Sequence, residues 1–179
     1  MIGKRKRISV GAANELLQVI WPEFIEVNGC VFAAFQWSGK FSGKFEPRTE
    51  TECLVNHTHI LDELRNRATT ELRQQIDDDI SELNEFYDET HPDFIGACRF
   101  GKSIARAWTL KLKHDFPTDR FRVYYTQYDN PIVRFHKVRP NENVWLRDQD
   151  LLSAIDPSFR DAVIYDTDHP DAFVAKGSS

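Results

Sequence analysis

The sequence has few cysteines and no long apolar run. Its three cysteines, Cys30, Cys53 and Cys98, stand apart from one another among apolar neighbours. Isolated cysteines of this kind are typical of buried, reduced thiols, so we expect neither disulfide bonds nor a zinc site. The apolar runs last a handful of residues, whereas a membrane-spanning helix needs about 20. We therefore predict no membrane span and, without a recognisable export signal, a cytoplasmic location.

An excess of positive charge is also missing. The formal net charge is -5, which argues against a surface built as a whole for nucleic acid, because phosphate binding depends on clustered lysine and arginine. The exception is the short basic run Lys4–Arg7. Asn14 and Glu15 follow it, where a signal peptide would be continuously apolar. We interpret residues 1–8 as a flexible basic arm.

The length and composition indicate one domain. The chain has 179 residues, of which 41% are hydrophobic, enough for one substantial core and short of what two independent domains normally need. We predict a single α+β domain over residues 9–167 and a disordered polar tail over residues 168–179. The chain as a whole resembles no family.

Asn28 and Gly29 mark the clearest turn in the sequence. This pair tolerates the positive φ angles of a type I′ turn, and apolar β-rich runs flank it at residues 24–27 and 30–35. The facing pairs of a two-residue loop would be Val27 with Cys30 and Ile25 with Phe32. We therefore predict a β-hairpin with a continuous apolar face.

Helix signals recur along the chain. They predict helices over residues 10–20, 49–65, 69–87 and from Pro92 to about Leu112. Thr49 and Glu52 fit a capping box, in which the hydroxyl and the carboxylate satisfy backbone donors at a helix start. The last helix has an apolar seam that advances by four and three residues. The seam consists of Phe94, Cys98, Gly101, Ala105, Trp108 and Leu112.

A second hairpin completes the predicted fold. Two β-rich runs at residues 121–128 and 132–138 are joined through Asp129-Asn130-Pro131. A short helix at 148–155 and a strand at 162–165 are expected after it. Two hairpins separated by about three main helices predict an α+β fold, in which the hairpins form an antiparallel sheet and the helices pack mainly on one face.

The segment Gly96-Ala97-Cys98-Arg99-Phe100-Gly101-Lys102-Ser103 has the order glycine, four residues, glycine, lysine, serine. Over this segment the chain resembles the Walker A motif of the P-loop nucleotide hydrolases. The resemblance implies a loop whose backbone amides from Gly96 to Gly101 wrap phosphates, with Lys102 at the outer phosphates and Ser103 on magnesium. The apolar seam, by contrast, predicts that the same segment is helical.

His57, His59 and Asp62 raise the question of a metal site, because neutral imidazoles are favoured ligands of zinc and related ions. Side chains two residues apart on a helix point to nearly opposite sides, so only His59 and Asp62 could converge there. The simpler interpretation has one histidine packed in the core, the other at the surface, and no metal.

The second hairpin is the most polar β structure in the chain. A two-residue loop would place Tyr125, Arg134 and His136 on one face, where a guanidinium and an imidazole suit an anionic ligand. Arg139 and Trp145 follow closely enough to rim such a site. A register change of one residue would redistribute these side chains between the two faces.

These patterns leave three hypotheses. The leading one is a small binding or interaction protein, regulatory or protective toward a partner, that uses the second hairpin to contact another protein or an anionic ligand. The alternatives are a nucleotide hydrolase acting through the Walker-like segment and a metal-dependent hydrolase using His59 and Asp62. The sequence contains no nucleophile motif and implies no cofactor, which favours a non-enzymatic role.

Overall fold

The computed structural model describes residues 10–37, 46–67, 73–74, 92–127, 131–146 and 162–174. The helices with described bounds are α1 (Val10–Ile20), α2 (Thr49–Val55), α3 (Ile60–Arg67) and α4 (Pro92–Asp115). The strands are β1 (Phe24–Val27), β2 (Cys30–Ala33), β3 (Thr58–His59), β4 (Phe121–Gln127), β5 (Pro131–Lys137), β6 (Val163–Asp166) and β7 (His169–Val174).

The strands form two antiparallel sheets. β1 and β2 make a two-stranded sheet, and the other strands make a five-stranded sheet in the order β3-β5-β4-β6-β7. The predicted α+β class with antiparallel pairing is confirmed. The two hairpins do not share backbone pairing with each other, because side chains of α2 lie between their facing edges.

The first hairpin has the predicted register. Its facing pairs include Val27 with Cys30 and Ile25 with Phe32. Asn28 and Gly29 have φ angles of 50° and 79°. Both angles lie in the left-handed region that a type I′ turn requires and that asparagine and glycine enter at little cost. β2 ends at Ala33, short of the predicted Phe35.

Helix α4 packs across one face of the five-stranded sheet. The seam residues Cys98, Gly101, Ala105, Trp108 and Leu112 are all buried, as predicted, while the side chain of Phe94 lies outside the described residues. The Trp108 ring contacts three phenylalanine rings edge to face, those of Phe24, Phe35 and Phe135. Its indole N–H donates to the carbonyl of Val19 at 2.9 Å, which satisfies the one polar group of this buried side chain.

Residues 96–103 are continuous helix within α4. A Cβ atom added at Gly101 would lie 2.7 Å from both the Cβ of Pro131 and the Cε2 of Tyr125. Glycine at this position therefore lets the helix approach the second hairpin closely. The segment does not form the loop of free amides that the Walker-like interpretation requires.

These contacts predict opposite effects of two alanine substitutions in α4. Gly96 is exposed, and an added Cβ would meet nothing within 4 Å, so Gly96→Ala should raise the free energy of unfolding by about 0.5–1 kcal/mol through helix propensity. Gly101→Ala should lower it by about 1–3 kcal/mol, because the methyl group overlaps Pro131 and Tyr125. Urea unfolding measures both. Equal stabilisation by the two substitutions would contradict the described contact between α4 and the hairpin.

The helix predicted over residues 49–65 is interrupted. α2 ends at Val55, β3 pairs with β5, and α3 then begins. Asn56 is the C-cap of α2, and its side chain bonds to β2 and β5, which holds the chain between the two strands where the helix ends. The predicted capping box is also wrong. Arg48 is the N-cap and makes no side-chain cap bond, and the carboxylate of Glu52 bonds to β2 instead.

The chain continues as a strand beyond the predicted end of the domain at residue 167. The strand predicted at 162–165 is present as β6, and residues 169–174, assigned to the disordered tail, form β7 beside it. Among the described strands β7 is an edge strand, and proline is tolerated better in an edge strand than in a central one.

Some predicted features lie outside the described residues. They are the basic arm at 1–8, the helix at 148–155 and all but two residues of the helix at 69–87.

Candidate functional site

The register of β4 against β5 decides which side chains share a face. Residues 128–130 separate the two strands, one residue more than the predicted loop, and Tyr124 pairs with Arg134. Tyr124, not Tyr125, therefore lies on the same face as Arg134 and His136, because a shift of one residue moves a side chain to the other face. The predicted grouping is corrected accordingly: Tyr125 faces α4.

His136 is fully buried on this face. Its Nε2 lies 2.8 Å from the hydroxyl of Tyr124 and 3.5 Å from the backbone N of Trp145, and its Nδ1 lies 2.9 Å from the carbonyl of Lys137. Donation from Nδ1 to that carbonyl leaves Nε2 as the acceptor. Burial lowers the pKa of His136 to about 4, so the ring is neutral near pH 7. His136 thus anchors the segment that carries Trp145, and it is not positioned to contact a ligand.

Arg134 lies between Trp145 and His57. Its guanidinium carbon is 4.2 Å from the centre of the Trp145 ring, and its Nη2 is 3.1 Å from the Nε2 of His57. Burial, together with the charge of Arg134 and the neighbouring His59, lowers the pKa of His57 to about 4. A neutral His57 accepts a hydrogen bond from the guanidinium. Stacking and hydrogen bonding together fix the plane of the Arg134 side chain.

A cleft of about 600 Å³ opens at Arg134, between α2 and the segment that follows β5. We call it the α2–β5 cleft. Helix α2 contributes Glu50, Cys53 and Leu54, whose spacing places them on one helical face. Glu142 and Trp145 line the other side. Burial raises the pKa of the Cys53 thiol to about 12, which keeps it protonated and unsuited to nucleophilic chemistry.

No carboxylate among the described residues pairs with Arg134. Its hydrogen-bond partner in this part of the chain is the neutral His57, and its Nε is buried without an acceptor. Burial lowers the pKa of Arg134, but an arginine side chain remains protonated at neutral pH. The cleft therefore contains a positive charge that the described part of the protein does not neutralise.

The inward side of α2 carries Glu52, which is fully buried. One carboxylate oxygen accepts from the backbone N of Val31 at 2.7 Å, and the other accepts from the backbone N of Lys137 and from Nη1 of Arg139, both at 2.8 Å. Glu52 therefore joins β2 to the end of β5. Arg139, predicted to rim a ligand site, instead pairs with Glu52 and donates to the carbonyl of Gly29.

Asn56, one helical turn further on, extends this connection. Its Oδ1 accepts from the backbone N of Ala33 at 3.1 Å, and its Nδ2 lies 3.0 Å from the carbonyl of Val31 and 3.3 Å from that of Phe135. Together with Glu52, these bonds replace a backbone ladder between the two sheets. They also hold α2, and hence one wall of the cleft, against both sheets.

The residues of the Walker-like segment make ordinary helix contacts. Ser103 donates to the carbonyl of Arg99 one turn earlier, at 2.9 Å. The ammonium group of Lys102 lies 5.4 Å from the centre of the Tyr125 ring. Within the helix, Gly96 and Gly101 do not present the free amides that a phosphate site needs.

The two histidines considered as metal ligands stack on each other. The centres of the His57 and His59 rings are 4.7 Å apart. This stretch lies outside the helices, and in an extended backbone two residues that are two positions apart point to the same side. Asp62 is exposed on α3. The described residues contain no group of three or more histidine, cysteine or acidic side chains that could hold a metal ion.

None of the described helices is long and apolar enough to cross a membrane. Comparison with known proteins adds no assignment, since no protein-family model, curated protein or solved structure matches this chain.

Proposed function

We propose that this protein is a binding module that holds an acidic side chain of a partner protein in the α2–β5 cleft. The observation that carries the proposal is the guanidinium of Arg134, which stacks on Trp145, is held by the neutral His57, and has no carboxylate partner among the described residues. A guanidinium fixed in this way offers parallel N–H groups that match the two oxygens of a carboxylate.

The apolar surroundings of Arg134 favour a protein partner over a small anion. Leu54 on the wall of the cleft is 70% exposed, and a free anion bound to the arginine would leave it in water. A partner segment could cover Leu54 and Trp145 while its carboxylate reaches Arg134. Arginine and tryptophan are also the residue types enriched at interface hot spots. The regulatory or protective role inferred from the sequence fits such a module.

A display library of random peptides tests the proposal directly. Selection on the wild-type protein should enrich peptides that carry aspartate or glutamate next to an apolar residue. Synthetic copies of these peptides should bind Arg134→Met about 10–100 times more weakly than wild type, because a hydrogen bond to a charged group contributes about 1.5–3 kcal/mol. Titration calorimetry measures the dissociation constants.

Two further measurements distinguish a site for a carboxylate on a partner protein from a site for a small anion. Arg134→Lys keeps the charge but not the planar pair of donors, so it should bind these peptides with an affinity between wild type and Arg134→Met. If sodium acetate or phosphate alone binds as tightly as the peptides, the site is for a small anion. If acidic residues are not enriched, or if Arg134→Met binds the peptides as tightly as wild type, the proposal is wrong.

A further inference from the structure

The end of the α2–β5 cleft at the start of α2 carries a negative charge that no described residue pairs with. Glu50, in the first turn of α2, lines the cleft, is exposed, and makes no ion pair or hydrogen bond with the described residues. Arg48, which lines the cleft beside Glu50, pairs with Glu46, so its positive charge is offset by a second carboxylate. Nothing in the described part of the protein therefore occupies the carboxylate of Glu50, which lines the same cleft as the guanidinium of Arg134.

Nearby side chains add to the negative charge at the start of α2. Glu142, on the opposite wall, accepts a 2.5 Å hydrogen bond from the backbone N of Thr49, and its other oxygen lies 3.8 Å from Arg139. Burial raises the pKa of Glu142, but the Thr49 bond and Arg139 outweigh it and hold the pKa below its usual range, so Glu142 stays ionised. Arg139 is in turn paired with the buried Glu52. The start of α2 thus favours a cation, whereas Arg134 favours an anion.

We infer that the segment bound in this cleft is an extended peptide that carries charges of both signs, with an acidic side chain on Arg134 and a basic side chain on Glu50. This inference rests on the proposed function and names the kind of partner. Leu54, between the two charges on the α2 wall, would contact an apolar residue between the charged ones.

The length of α2 sets the spacing in such a peptide. Glu50 is in its first turn, and His57, which holds Arg134, lies two residues beyond its last residue, Val55. At about 1.5 Å per residue, the helix advances about 8 Å from Glu50 to Val55. An extended chain advances about 3.3 Å per residue, and Arg134 lies beyond Val55, so the acidic and basic residues of the peptide should be at least two or three positions apart.

Short synthetic peptides with an acidic residue, an apolar residue, a spacer and a lysine test this inference. Both orders along the chain should be made, and binding to the wild-type protein measured by fluorescence anisotropy at physiological salt. Replacing the peptide lysine with alanine should weaken binding about twofold to fivefold, as expected for an exposed ion pair. Glu50→Lys should weaken binding of the lysine peptide about threefold to tenfold, because an attraction becomes a repulsion.

A charge exchange supplies the decisive comparison. A peptide in which the lysine is replaced by glutamate should bind Glu50→Lys more tightly than it binds wild type, which a general loss of folding could not produce. Glu23→Lys, an equal change at an exposed position that does not line the cleft, should not show this reversal.

The outcomes separate this inference from the proposed function. Acidic peptides could bind in an Arg134-dependent way and yet show no preference for a basic residue, in wild type or in Glu50→Lys. In that case the inference of a peptide with two charges is wrong, and the proposed function is unaffected. Absence of Arg134-dependent binding would overturn both.

Discussion

Replacing Glu52 with alanine should lower the free energy of unfolding by about 3–5 kcal/mol. The carboxylate is fully buried and accepts hydrogen bonds from the backbone of Val31 and Lys137 and from the guanidinium of Arg139. Its removal leaves two backbone donors without their acceptor and leaves the partly buried Arg139 with only the more distant carboxylate of Glu142, 3.8 Å away. Breaking a buried pair on one side is among the most destabilising single changes, because the remaining charge loses its nearest partner and the buried amides lose their acceptor.

Urea unfolding of two variants on the same helix provides the measurement. Glu50→Ala removes an exposed carboxylate that has no partner among the described residues, so it should change stability by less than about 0.5 kcal/mol. Amide hydrogen exchange at Val31 and Lys137 should accelerate in Glu52→Ala, since both amides lose their acceptor. If Glu52→Ala were as stable as Glu50→Ala, the connection of the two sheets through α2 would not exist as described.

The elements that the sequence predicts well are those fixed by short-range rules. The turn at Asn28 and Gly29 requires positive φ angles at adjacent positions, and these residue types supply them. Helix α4 follows from a seam with a three-and-four spacing that is buried at Trp108 and Leu112. In both cases, residues close in the sequence determine the conformation.

The polar contacts between α2 and the sheets could not be predicted in the same way. Glu52 bonds to Val31, 21 positions away, and to Arg139, 87 positions away. A glutamate three residues after a threonine also satisfies the capping-box pattern, so the local rule predicted a local partner for the carboxylate. A buried glutamate and asparagine one turn apart show their role only when the strands on either side are in place.

The side chains that the sequence singled out on the second hairpin and after it lie in different surroundings. Arg134 and Trp145 lie in the cleft, whereas His136 lies behind it as a structural residue. Glu50 and Leu54 were missed because, on a short helix, they look like ordinary surface positions. The cleft exists because the segment after β5 lies opposite α2, and no local pattern in the sequence encodes that approach.

His136 should make the stability of the protein depend on pH between about 6.5 and 4. Burial lowers the pKa of its imidazole from 6.5 to about 4, so below pH 6.5 the unfolded chain binds a proton that the folded protein does not accept. The stabilisation is therefore complete above pH 6.5 and is lost as the pH falls toward 4. Between these pH values, the free energy of unfolding should change by up to about 1.4 kcal/mol per pH unit. The total loss of stability should be about 3 kcal/mol.

The pH dependence of unfolding in His136→Gln tests this assignment. His57, whose pKa is also lowered to about 4, acts in the same direction but is more exposed, so the variant should show a flatter dependence and not a flat one. His114→Gln, a change at a histidine whose side chain is 84% exposed, is the matched control. A slope in His136→Gln equal to that of wild type would mean that His136 binds a proton as readily in the folded protein as in the unfolded chain. The burial of the ring and the hydrogen bond of its Nε2 with Tyr124 would then not affect its protonation, and the anchoring of Trp145 beside Arg134 would need another explanation.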